Sequence, residues 1–207
     1  YKGFKDALLM MFEYGLLQTI FPVLKNITFK DIENRLKLID DYPNNVFVIA
    51  PLLNLFKNIN INKKIEICKY LKLSNREINF VYVLENSMNL LKDYKKIDNY
   101  TFAYLFSDFN FEVILQIFEI HLDKEQRKKV MMEIDLKKDN LKTYIDRIIN
   151  NNPIVKAENL KLLGIKNSPL MGKLLKEAEK ISINFKLNDV NSILDKLKKT
   201  NLFKSSL

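Results

Sequence analysis

Between residues 153 and 180 the chain reads PIVKAENLKLLGIKNSPLMGKLLKEAEK, and its residue types suit the holding of a phosphate. Lys173, Lys176 and Lys180 recur at spacings of three and four, which places them along one side of a helix. Leu170, Met171, Leu174, Leu175 and Ala178 fall on the other side. Lys161 and Lys166 precede them, and Asn167 and Ser168 supply turn donors between two helical stretches. A helix N-terminus presents unpaired backbone N–H groups, and with lysines behind them such a turn can bind an anion. An ordinary helical hairpin with a solvated lysine face satisfies the same local chemistry.

The rest of the chain offers little for catalysis. It contains no phosphate-binding glycine loop, no zinc-type spacing of His and Cys, and no nucleophile motif. The only histidine, His121, ends an apolar run and reads as structural. Asp40 and Asp41 are adjacent and precede Tyr42-Pro43, so they diverge at a helix stop, whereas a two-metal site needs carboxylates that converge. No catalytic or metal-ligating residue is therefore assigned. KEQRKK at 124–129 is a second basic cluster, but Asp123, Glu125, Glu133 and Asp135 surround it. Tyr100, Phe102, Tyr104, Phe106, Phe109 and Phe111 could stack bases, although their spacing suits helix–helix packing better.

The elements that must position these residues read as helices throughout. Tyr1 to Leu17 is amphipathic, Thr28 with Asp31 opens a second helix, and Asn44 to Phe56 reads as a central apolar helix kinked or started at Pro51. Asn62 opens a helix through Leu71, and Ser74 with Glu77 caps another that runs to about Leu91. A short aromatic helix starts at Asp98 or Asn99, and Asn110 to Leu122 is the next. Two further helices are expected at Asp123 to Glu133 and Asp139 to Asn150. In the basic stretch, Glu158 to Leu163 forms a short helix ended by Gly164, and Pro169 stands at the first position of the next. Asn188 caps a last helix through Lys199. No segment alternates with period two, so the expected fold is all-α: an irregular bundle of about ten helices with a small C-terminal helical tail. The polar run Asn150-Asn151-Asn152-Pro153 marks the expected boundary between a helical body, residues 1–152, and a basic tail, residues 153–207, carrying a helix-hairpin-helix-like motif.

Composition sets the outer limits. In 207 residues with 47% hydrophobic content there are only four glycines and five prolines, which leaves little room for long irregular segments. The single cysteine, Cys68, precludes an internal disulfide framework and gives no reason to place the protein outside the cytoplasm. No apolar run reaches the ~20 residues that span a membrane, and no membrane partner is expected. The chain starts at Tyr1 rather than methionine, as a piece of something longer would. The net charge is +9, and residues 150–207 hold 11 basic and 5 acidic side chains, so two thirds of the excess lies in the last quarter. A localised basic surface is what a polyanion partner requires, because counterion release supplies affinity without base reading.

The basic stretch resembles the C-terminal segment of bacterial class II tRNA nucleotidyltransferases and their poly(A) polymerase relatives, where a DLLKLGIKPGPLIGKILKEL-like sequence occurs. Leu160, Leu163, Gly164, Ile165, Lys166, Pro169, Gly172, Leu175 and Lys176 are in step with it, and Asn167-Ser168 stand where the family has Pro-Gly. MFEYGLLQTIFPVL and LKLSNREINFVYVLENS are similar, more loosely, to segments of the family's helical body. The resemblance implies the tRNA-binding body and tail of a CCA-adding or poly(A)-adding enzyme, with the catalytic head amino-terminal to this chain. Mg and CTP or ATP would bind in that head, and no cofactor in this chain. The partner would be tRNA, held at its acceptor and TΨC region through the phosphate backbone by Lys161, Lys166, Asn167, Ser168, Lys173, Lys176 and Lys180. The alternative is a helical protein-interaction module, or a split subunit that docks a separate catalytic head.

Overall fold

The computed structural model describes residues 3–205. Those residues form thirteen α-helices, some of only one turn, and no strand. They are α1 Phe4–Glu13, α2 Leu16–Ile20, α3 Phe29–Arg35, α4 Ile49–Leu52, α5 Ile61–Tyr70, α6 Asn75–Leu91 and α7 Asn99–Ser107. Then come α8 Phe111–Ile120, α9 Lys124–Ile149, α10 Ala157–Leu162, α11 Pro169–Asn184, α12 Val190–Leu197 and α13 Asn201–Lys204. The fold is all-α, as the periodicity indicates.

Several local expectations hold because a cap acts over four residues. Thr28 and Asp31 form a reciprocal capping box, and so do Ser74 and Glu77. Other boundaries differ. The start expected at Tyr1 lies outside the described residues, and the first amphipathic stretch breaks at Gly15, whose φ is +74°. Asn44 to Phe56 is not one helix: α4 gives way to a 3-10 turn over Leu53–Phe56. Asn60 caps α5 in place of Asn62, and Asp189 caps α12 in place of Asn188. The two helices expected at 123–133 and 139–150 are one continuous helix, α9. Lys137-Lys138-Asp139-Asn140 contains no Gly or Pro, and Ile134, Leu141, Tyr144 and Ile145 keep one buried stripe across it.

The chain divides into two compact units, one of residues 1–92 with 112–131 and one of 93–111 with 132–207. This differs from the boundary expected at Asn152-Pro153. The tail helices share their unit with α7 and most of α9, because α11 packs on α7 and the backbone N–H of Tyr100 donates to Asn184 Oδ1 at 2.8 Å. One core cluster of this unit is Val155, Leu160, Ile165, Met171, Leu174, Ala178, Ile181, Ile193, Leu194, Leu197 and Phe203. Arg147 on α9 ties it together: its guanidinium lies 2.9 Å from Glu179 and donates to Ser182 Oγ at 2.8 Å. Both charged side chains are nearly buried, at 12% and 14% exposure, so loss of one partner costs about 3–5 kcal/mol.

The first unit encloses a polar network at the place of the sequence's only histidine. Asn54 Nδ2 donates to the Tyr42 hydroxyl at 3.0 Å, and that hydroxyl lies 3.1 Å from His121 Nε2. These groups line a cavity of about 560 Å³ together with the ion pair of the buried Lys64 and the half-buried Glu85, 2.7 Å apart. Burial pushes the Tyr42 phenol up to about 12. Burial, helped by the charge of Lys57, lowers the pKa of His121 below its usual 6.5. A lowered histidine pKa means that the unfolded chain takes the proton first, so stability is full above pH 6.5 and falls as pH drops below it. The carboxylates held low by capping bonds, Asp31, Glu77 and Asp189, lose their contribution only in more acidic solution. Urea unfolding should therefore give a lower midpoint at pH 5.5 than at pH 7.5, and His121→Asn should flatten that difference. An equal difference in the variant would exclude His121 as its source.

Candidate nucleic-acid interface

Helix α10 ends because its carbonyls are met by a left-handed turn. The Gly164 N–H donates to the Lys161 carbonyl at 2.9 Å, and the Ile165 N–H reaches back to the Leu160 carbonyl at 3.1 Å. This is a Schellman motif, and it requires positive φ at Gly164, which is +87°. Ile165 then turns inward and is buried, which anchors the turn to the core. Ser168 precedes α11 with an extended backbone, and Pro169 takes the first helical position.

The chain between these anchors leaves donors open. Ser168 makes no side-chain cap, and the backbone N–H groups of Lys166, Asn167, Ser168 and Leu170 meet no acceptor among the described residues. Backbone donors left unpaired at a helix start are satisfied by water or by an anion. All seven expected contact residues, Lys161, Lys166, Asn167, Ser168, Lys173, Lys176 and Lys180, are exposed. None of the five lysines forms an ion pair with a described residue. In α11 the apolar stripe Met171, Leu174, Ala178 and Ile181 is buried, so the lysine side faces solvent by helical geometry. Lys176 Nζ stands 5.9 Å from the centre of the Tyr104 ring. Lys180 acts on Asp98: burial alone would raise that carboxyl, but hydrogen bonds from Thr101 and Asn184 and the lysine charge bring it below the usual range.

The other candidates sort differently. In the 124–129 cluster, Arg127 turns back to the Ile120 carbonyl at 3.3 Å and lines a recess with Asp41, Glu119 and Lys124, so that surface is of mixed charge. Asp40 and Asp41 sit in a 3-10 turn and are exposed. Of the aromatic run, Phe102, Phe106 and Phe111 are buried, while Tyr104 and Phe109 are exposed. Spacing alone did not separate these rings, because it does not say which helix face meets α11. Cys68 is buried, and burial raises its thiol pKa. Among the described residues no cluster of three or more His, Cys, Asp or Glu could hold a metal ion, and no helix is long and apolar enough to cross a membrane.

No protein-family model matches the chain, and no curated protein or solved structure is significantly similar to it.

The two glycines of the motif have opposite structural meanings. A Cβ at either would meet nothing within 4 Å, so neither is there for packing room. Gly164 needs its positive φ, and Gly164→Ala should cost about 1–2 kcal/mol by chemical denaturation. Gly172 lies inside α11 with ordinary helical φ, and Gly172→Ala should add about 0.5–1 kcal/mol. A stabilising Gly164→Ala would contradict the left-handed turn.

Proposed function

We propose that this chain is the tRNA-binding body and tail of a CCA-adding or poly(A)-adding nucleotidyltransferase, with catalysis carried out by a head outside the chain. The observation that carries the reading is the open set of backbone donors from Lys166 to Leu170, flanked by five unpaired lysines. A phosphate seated at the turn would take the N–H groups of Asn167 and Ser168, and Lys173, Lys176 and Lys180 would meet successive phosphates along α11. Such contacts follow backbone shape rather than base identity, which suits the acceptor and TΨC region of a folded RNA. Support also comes from the resemblance of residues 158–180 to the family's C-terminal segment, with Gly164 and Pro169 doing the structural work that the motif demands. On this reading Mg and CTP or ATP belong to the head, and the protein acts in the cytoplasm, in keeping with its single buried cysteine.

A second reading, docking onto a separately encoded catalytic head, draws on the first unit. Met10, Tyr14, Leu16 and Val23 are exposed there, and Thr19 to Val23 border a groove of about 370 Å³. Co-purification with a nucleotidyltransferase subunit and no RNA affinity of its own would favour that alternative.

Filter binding of the chain to tRNA across a salt series distinguishes the two. Affinity should fall steeply with salt, and each lysine that meets a phosphate should account for about one unit of the log–log slope. Lys173→Ala/Lys176→Ala should weaken binding uniformly across RNA sequences and reduce the slope by about 2. No binding at low salt, or a double variant identical to the parent, would remove the RNA reading.

A further inference from the structure

The aromatic run on α7 is left over once the lysines are assigned to phosphates. Its rings divide by helix face. Phe102 and Phe106 pack 5.0 Å apart and Phe106 meets Phe111 at 4.7 Å, all three in the core. Tyr104 points away from them and keeps 56% of its surface in solvent. Its hydroxyl has no hydrogen-bond partner among the described residues, so no polar contact explains its place. Two neighbours frame the ring. Tyr100 lies 6.1 Å away with its plane tilted by 30°, and the ammonium of Lys176 on α11 is 5.9 Å from the ring centre.

A lone exposed tyrosine is unremarkable on any surface. Here it stands beside the middle lysine of the line Lys173, Lys176, Lys180. In a nucleotide the base is one sugar away from its phosphate, so an aromatic face next to an ammonium can engage both parts of one residue. A stacked base gains from any π-face, whatever its identity, and the nearby cation adds to the attraction. A base inside a continuous duplex cannot use such a ring, because both of its faces are already stacked.

We infer that Tyr104, framed by Tyr100 and Lys176, stacks an unpaired base, so that the surface takes a structured RNA with a single-stranded end or a flipped-out nucleotide. This rests on the reading of α11 as a phosphate-contacting surface, and names the kind of RNA that it favours.

The test uses the full chain, one RNA hairpin with a blunt end, and the same hairpin with a 3′ overhang containing 2-aminopurine. The parent should bind the overhang RNA about tenfold more tightly than the blunt one and quench the probe on stacking. Tyr104→Leu should abolish the quench and bring the overhang RNA to blunt-RNA affinity, with blunt binding and its salt slope unchanged. Tyr104→Phe should keep both effects, and circular dichroism melting should show all variants folded. Equal affinity of the parent for the two RNAs, or a Tyr104→Leu variant that matches the parent, overturns the stacking inference alone. A Tyr104→Leu variant that weakens both RNAs equally also overturns it, by giving the ring a structural role. Binding to neither RNA overturns the phosphate reading, and stacking with it.

Discussion

The unit that carries the basic surface depends on one nearly buried arginine. Arg147 reaches from α9 to two residues of α11, Glu179 at 2.9 Å and Ser182 at 2.8 Å, and Ser182 Oγ passes the bond on to the Leu187 carbonyl at 2.8 Å. A guanidinium with a planar fork sets rotation as well as distance. It therefore fixes the turn of α11 about its own axis, and with it the direction of every side chain the helix bears. Glu179 and Ser182 face α9, Met171, Leu174 and Ala178 face the core, and Lys173, Lys176 and Lys180 are left for solvent. The same guanidinium lies 5.1 Å from the Tyr144 ring of its own helix, so it is held from both sides.

That arrangement separates two jobs within sixteen residues. One side of α11 is committed to packing, and its Glu179 is paired with Arg147. The other side exposes Lys173, Lys176 and Lys180, with the half-buried Glu177 among them, at the end of the chain where most of the net charge is concentrated. The N-terminus of the helix adds partial positive charge and open N–H groups where the lysines begin. Burial of the adjacent Ile165 holds the turn in place, so an anion meeting it would not have to order the backbone first.

What was legible in the sequence was what a few neighbouring residues decide. Gly164 and Pro169 marked the end of one helix and the start of the next, and the two capping boxes marked their own helices, because each depends on bonds that span six residues or fewer. The exposed lysine side of α11 was legible from the 3.6-residue period. Long-range packing was not. Lys137 to Asn140 looked like a break because it is polar, yet polar residues without Gly or Pro continue a helix readily, and α9 passes through. The polar run at 150–153 looked like a domain boundary, but Asn151 only closes α9 with a left-handed cap at φ +47°, while α11 returns to pack on α7. The fate of Tyr104 was equally hidden, since its exposure depends on which face of α7 receives α11.

Whether the open backbone donors between Lys166 and Leu170 meet an RNA phosphate is read most directly by amide hydrogen exchange and mass spectrometry, with and without tRNA. Slowed exchange is expected on tRNA addition in peptides covering residues 165–176, because amides that were open to water acquire an acceptor. Saturated tRNA binding with unchanged exchange across 165–176, and protection confined to other segments, would contradict it.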